Sequence, residues 1–130
     1  MKILVGYDGS KGAEAALREA QKHAKVFKAD IDILTSLEQS STLDKSDIEK
    51  AESELEYVRT PFNIDDIPCE THVVVNYLTP GEDLVQFVKD REIDELIVGV
   101  KRRSKVGKLI FGSNAQYIIL MAPCPVVAVK

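Results

Sequence analysis

Five short apolar runs alternate with segments of helical period, and this alternation leaves few folds open. Residues 2–7, 29–37, 69–76, 95–98 and 126–129 have the length and β-branched content of buried strands. Between them, Ala13, Ala16, Leu17, Ala20, Ala24 and Phe27 recur on one face of a helix. Ile48, Ala51, Leu55 and Val58 mark a second helix, Leu84, Val85 and Val88 a third, and Tyr117, Ile118, Leu120 and Met121 a fourth. Two strands joined by a helix of this length form a parallel pair with a right-handed crossover. The order βαβ-α-βαβαβ therefore predicts a three-layer α/β domain built on a five-stranded parallel sheet.

Local signals set the boundaries. Gly6-Tyr7-Asp8-Gly9-Ser10 turns the chain out of strand one, with Ser10 as the helix cap. Residues 38–44 are polar and read as a loop, and the second helix is expected to stop near Thr60-Pro61. Thr79-Pro80-Gly81-Glu82 combines a cap, proline at the first helical position and a capping-box glutamate. Ser113-Asn114-Ala115-Gln116 likewise reads as a capping box opening the last helix. Ala122-Pro123-Cys124-Pro125 breaks the pattern before the final strand.

Composition narrows the function classes. A chain of 130 residues, 45% hydrophobic and 29% charged, suits one ordinary soluble domain spanning residues 1–130. No apolar run approaches the roughly 20 residues that cross a bilayer, and residues 1–6 do not resemble a signal peptide. A net charge of −4 argues against a general nucleic-acid binder. Cys69 and Cys124 lack metal-ligand spacing and are expected as free thiols in a reducing cytoplasm. His23 and His72 are expected to be structural or surface residues, without neighbours in sequence that spell a metal site.

Charge is uneven along the chain. Residues 38–70 hold ten acidic residues against three basic ones, whereas Lys101, Arg102, Arg103, Lys105 and Lys108 follow strand four without an acid among them. This basic loop, bounded by Gly99 and by Gly112-Ser113, feeds a helix N-terminus, where backbone N–H groups and the helix dipole favour an anion such as phosphate. The plainer reading is a solvated loop between a strand-ending glycine and a turn glycine. Ligands of parallel sheets sit beyond the carboxyl ends of the strands, where strand order reverses. Residues 6–10 and 99–113 share such a crevice only if strands one and four are neighbours.

Together these features resemble the universal stress protein family across nearly the whole chain. The matching pieces are residues 3–10, residues 94–99, Gly112-Ser113 and the ending 122–129. The resemblance implies a sheet ordered 3-2-1-4-5, of the adenine nucleotide alpha hydrolase-like kind, with strands one and four adjacent. The nucleotide-binding branch carries a loop of the form G-x2-G-x9-G-[ST]. Gly99, Gly112 and Ser113 match it, and Arg102 replaces the second glycine. An arginine there either grasps phosphate bidentately or fills its place.

Carried over residue by residue, the resemblance implies a ligand set of Gly6, Tyr7, Asp8, Ser36, Leu37, Gly99, Lys101, Arg102, Arg103, Gly112, Ser113 and Asn114. Backbone groups at Ser36 and Leu37 would meet adenine, and Asp8 would lie beside the nucleotide. The implied cofactor is ATP or AMP, with or without magnesium, in a cytoplasmic dimeric stress regulator or sensor. A nucleotide-free interaction dimer is the alternative. The final strand, Val126-Val127-Ala128-Val129, would form an unprotected apolar edge suited to pairing with its own copy. Nothing in the sequence assembles a catalytic base with a nucleophile, and Gly9-Ser10-Lys11-Gly12 does not satisfy the P-loop spacing. An enzyme on this fold, at most a slow ATP hydrolase, stays open.

Overall fold

The computed structural model describes residues 1–100 and 112–130. The chain runs β1 (Lys2–Gly6), α1 (Lys11–Phe27), β2 (Asp30–Glu38), α2 (Lys45–Ile64), β3 (Cys69–Asn76), α3 (Pro80–Arg91), β4 (Glu95–Gly99), α4 (Ser113–Met121) and β5 (Val126–Val129). All strands are parallel and lie in the order β3-β2-β1-β4-β5. The expected α/β class and strand order are both present. Strand order reverses between β1 and β4, which pair from Ile3–Glu95 to Val5–Ile97.

Strand alternation divides the core into two layers. Ile3, Val5, Ile31, Ile33 and Ile97 face α1 and α2, packing on Ala16, Leu17, Ala20, Ala24, Leu55 and Phe62. Leu4, Leu34, Leu96 and Val98 face the other way, onto Leu84, Val85, Val88 and Ile118 of α3 and α4. The alanines of α1 let that helix approach the sheet closely, and Ala16 and Ala20 are fully buried. No helix among the described residues is long and apolar enough to cross a membrane.

Three helices are capped by side chains. Ser10 accepts from the Ala13 N–H at 3.1 Å, as expected. Thr79 and Glu82 form the expected capping box, with Pro80 in the first turn. Asp44 and Asp47 form another at α2. The fourth differs from expectation. Gly112, not Ser113, is the α4 cap, so Ser113 is the first helical residue and no described side chain caps the helix.

The second helix also departs from its expected end, running through Pro61 to Ile64. Proline costs a helix one hydrogen bond and some steric strain. Here the extra turn inserts Phe62, 1% exposed, among Leu55, Ile67 and Cys69. Burying an aromatic ring outweighs the single bond that Pro61 forfeits.

Both cysteines are free, and burial pushes the Cys69 thiol up to about 12. That leaves almost no reactive thiolate at neutral pH.

Candidate functional site

The β1–α1 turn, the ends of β2 and β4 and the starts of α3 and α4 meet at the carboxyl edge of the sheet. They line a cleft of about 160 Å³. Of the residues expected there, Gly6, Tyr7, Asp8, Ser36, Gly99 and Asn114 line it. Leu37 does not. Its side chain belongs to the α1/α2 face, and it lines an adjoining recess that shares Tyr7, Asp8 and Ser36. Lys101, Arg102 and Arg103 lie outside the described residues. Gly112 caps α4 and Ser113 begins it, and the next residues, Asn114 and Ala115, reach the cleft wall.

The turn after β1 is shaped by Asp8 and Gly9. Asp8 Oδ1 accepts from the Ser10 N–H at 3.0 Å, and Gly9 adopts φ +81°, which a side chain would strain. The aspartate thus holds the turn, and no hydrogen bond to its second oxygen is made among the described residues. Beside it, burial raises the Tyr7 phenol above its ordinary value, and Glu14, Glu54 and Asp8 add to the effect. Tyr7 is therefore neutral at physiological pH and serves the cleft as an uncharged ring and hydroxyl.

The wall beside β2 arises because β2 outlasts β1. Tyr7 donates its N–H to Leu34 C=O at 2.9 Å, whereas Ile31 and Gln39 donate toward β3. Even-numbered residues of β2 therefore aim their backbone groups at β1. The last β1 partner is Gly6, opposite Leu34. Ser36, two residues further on, points its N–H and C=O past the end of β1 and into the cleft.

Two glycines of the sequence motif play different parts. A Cβ on Gly99 would sit 2.2 Å from the Gly12 carbonyl carbon and 2.3 Å from its oxygen. Gly99 is thus required where β4 touches the start of α1. Around a Cβ on Gly112, no described atom lies within 4 Å, and its backbone is extended (φ −65°, ψ 161°). Asn114 also has a packing role, since its Oδ1 accepts from the Gly81 N–H at 3.0 Å. This bond fastens the start of α4 to the start of α3.

Two features were not visible in the sequence. One is Asp83, 5% exposed and bonded to Ser36 of that wall. Nothing in its spacing set it apart from other acids of an amphipathic helix. The other is a cluster at the opposite end of the sheet, where His72 Nε2 meets Asp32 Oδ1 at 2.7 Å and Glu70 Oε2 at 3.9 Å. The three side chains could reach one ion. The His72–Asp32 pair and the Phe87 ring 4.9 Å from His72 already account for the histidine's position. His23 bridges Glu95 at 2.6 Å and Glu19 at 3.2 Å, tying α1 to β4. Both histidines are structural in this arrangement.

Known proteins share this architecture. The universal stress protein family model matches residues 1–130. A universal stress protein of Mycolicibacterium smegmatis is 27% identical over 133 residues, covering 98% of this chain and 96% of that one. A solved universal stress protein from Archaeoglobus fulgidus superposes with a TM-score of 0.88 at 31% identity, covering 100% and 98% of the two chains. A structure of the Archaeoglobus fulgidus protein in complex with dAMP gives 0.84 at 27% identity, with the same coverage. On this whole-chain match, and on the strand order and cleft it predicts, the chain belongs to the universal stress protein family.

Proposed function

We propose that this protein binds AMP or ATP in the β1/β4 cleft and acts as a cytoplasmic homodimeric regulator or sensor in the stress response. The observation that carries the reading is the α4 N-terminus. Unlike the other three helices it has no side-chain cap among the described residues, and its first turn opens on the cleft at the point where strand order reverses. The backbone N–H groups of its first turn and its positive dipole end suit a phosphate. The dAMP complex of the Archaeoglobus fulgidus relative supports the ligand class. In this reading Ser36 meets the base, Asp8 lies beside the ribose or phosphates, and Lys101, Arg102 and Arg103 add charge-assisted contacts to phosphate. A magnesium ion on ATP would take the second Asp8 oxygen.

Added AMP or ATP is expected to raise the melting temperature by mass action. Arg102→Ala is expected to weaken ATP more than adenosine, with a deficit that shrinks in high salt. No shift with either nucleotide at millimolar concentration, with and without magnesium, would sink the proposal. Tighter ATP binding by Arg102→Ala would instead make Arg102 an occupant of the pocket and favour the nucleotide-free reading.

The dimer is proposed at β5. It is the last strand of the sheet and, among the described residues, pairs only with β4. The adjoining α4 leaves Ile119, Leu120 and Met121 exposed at 46%, 80% and 49%. An open apolar edge beside exposed apolar side chains invites a self-complementary two-fold contact. Light scattering at tens of micromolar is expected to show a dimer, and Val127→Asp to shift it toward monomer. A wild-type monomer at that concentration would exclude the interface.

A further inference from the structure

We infer that Asp83 is a positioning residue that fixes the Ser36 hydroxyl as a hydrogen-bond acceptor toward the cleft. The site thereby selects a purine with a 6-amino group over one with a 6-oxo group. The inference rests on the proposed nucleotide site and deepens it from a ligand class to a discrimination rule.

Asp83 sits in the first turn of α3, at the positive end of the helix dipole. Its two oxygens accept from two neutral donors. Ser36 Oγ lies 2.5 Å from Oδ2, and Asn76 Nδ2 lies 2.7 Å from Oδ1. Asn76 cannot exchange roles, because its own Oδ1 accepts from the Leu78 N–H at 2.8 Å. No cation among the described residues pairs with Asp83. An ionised carboxylate only accepts, so the single Ser36 proton is committed to it. What the hydroxyl still offers a ligand is its lone pairs.

Ser36 therefore presents two acceptors, Oγ and the backbone C=O, and one donor, the backbone N–H. The Watson–Crick edge of adenine is the complement, a two-proton amino group beside the N1 acceptor. A 6-oxo purine reverses both, setting O6 against the hydroxyl lone pairs and the N1 proton against the N–H. Unpaired groups in a partly desolvated site are costly, and the expected discrimination is about tenfold or more.

AMP and IMP differ only at this edge, and calorimetric titration of both against the folded protein reads the rule. Wild type is expected to bind AMP at least about tenfold tighter than IMP. In Asp83→Asn the new amide can donate to Ser36 Oγ, which releases the hydroxyl proton toward the cleft, so the AMP:IMP ratio is expected to fall toward one. Ser36→Ala removes the acceptor and is expected to lower the ratio as well. Loss of a merely structural bond would weaken both nucleotides by the same factor and leave the ratio unchanged. That result, or equal binding of AMP and IMP by wild type, overturns the inference while the nucleotide site stands. Failure of wild type to bind either nucleotide overturns the site and the inference together. If Asp83→Asn does not fold by circular dichroism, the ratio in Ser36→Ala alone decides.

Discussion

Gly99→Ala is expected to destabilise the protein by about 3 kcal/mol or more, the upper end of overpacking costs. One methyl group has this effect because of what it meets. The new Cβ would fall 2.2 Å from the Gly12 carbonyl carbon, 2.3 Å from its oxygen and 2.8 Å from the Ala13 N. All three are backbone atoms, so no rotamer change relieves the clash. Relief requires α1 to move off β4, which disturbs the fully buried Ala16 and Ala20 contacts. Gly112→Val is the control from the other end of the same loop motif. It meets no described atom within 4 Å and keeps an extended backbone, so its cost is expected to be no more than the roughly 1 kcal/mol of a poorer helix cap. Its effect should appear in binding. A β-branched side chain at the mouth of the α4 N–H groups is expected to weaken AMP about tenfold, as one or two lost contacts of roughly 1 kcal/mol each would. Urea denaturation and AMP titration of both variants check the pair. Equal stability of Gly99→Ala and wild type would refute the packing role of Gly99.

Phe62→Ala is expected to cost about 3–5 kcal/mol, a large part of the 5–15 kcal/mol typical of a domain. The ring is 1% exposed and packs with Leu55, Ile67 and Cys69. Its loss would also remove the reason for α2 to continue beyond Pro61. The last turn, held by the Asp65 N–H to Pro61 C=O bond at 3.2 Å, should then fray. Hydrogen exchange at residues 63–67 is expected to speed up more than at Leu55. Pro61→Ala should act oppositely, adding the missing N–H donor to an exposed helical position and leaving stability equal or improved. A Phe62→Ala variant with unchanged midpoint would show that the ring does not anchor the helix.

The contrast between these residues separates what the sequence alone determined from what the fold decided. Periodicity placed every strand and helix, because a period of two or 3.6 is a local property of apolar spacing. The caps at Ser10 and Thr79 were equally local, each depending on a partner three residues away. The cleft's position was legible only through the family resemblance, which implied the strand order and with it the switch point, and Gly6, Asp8, Ser36 and Gly99 line the cleft there.

What depended on partners distant in sequence was not legible. Gly99 looked like a phosphate-loop glycine, but Gly12, 87 positions earlier, is what forbids its side chain. The end of α2 was set by a core vacancy that Phe62 fills, against the local rule of proline. Ser113 satisfied the capping-box pattern, yet the chain enters α4 one residue earlier, leaving the cap to a glycine. Asp83 was one acid among many until the fold brought it to Ser36, 47 residues away, and to Asn76. Sequence spacing determines which face a residue occupies. Only tertiary packing determines which atom waits on the other side, and hydrogen-bond polarity and steric exclusion act at that atom.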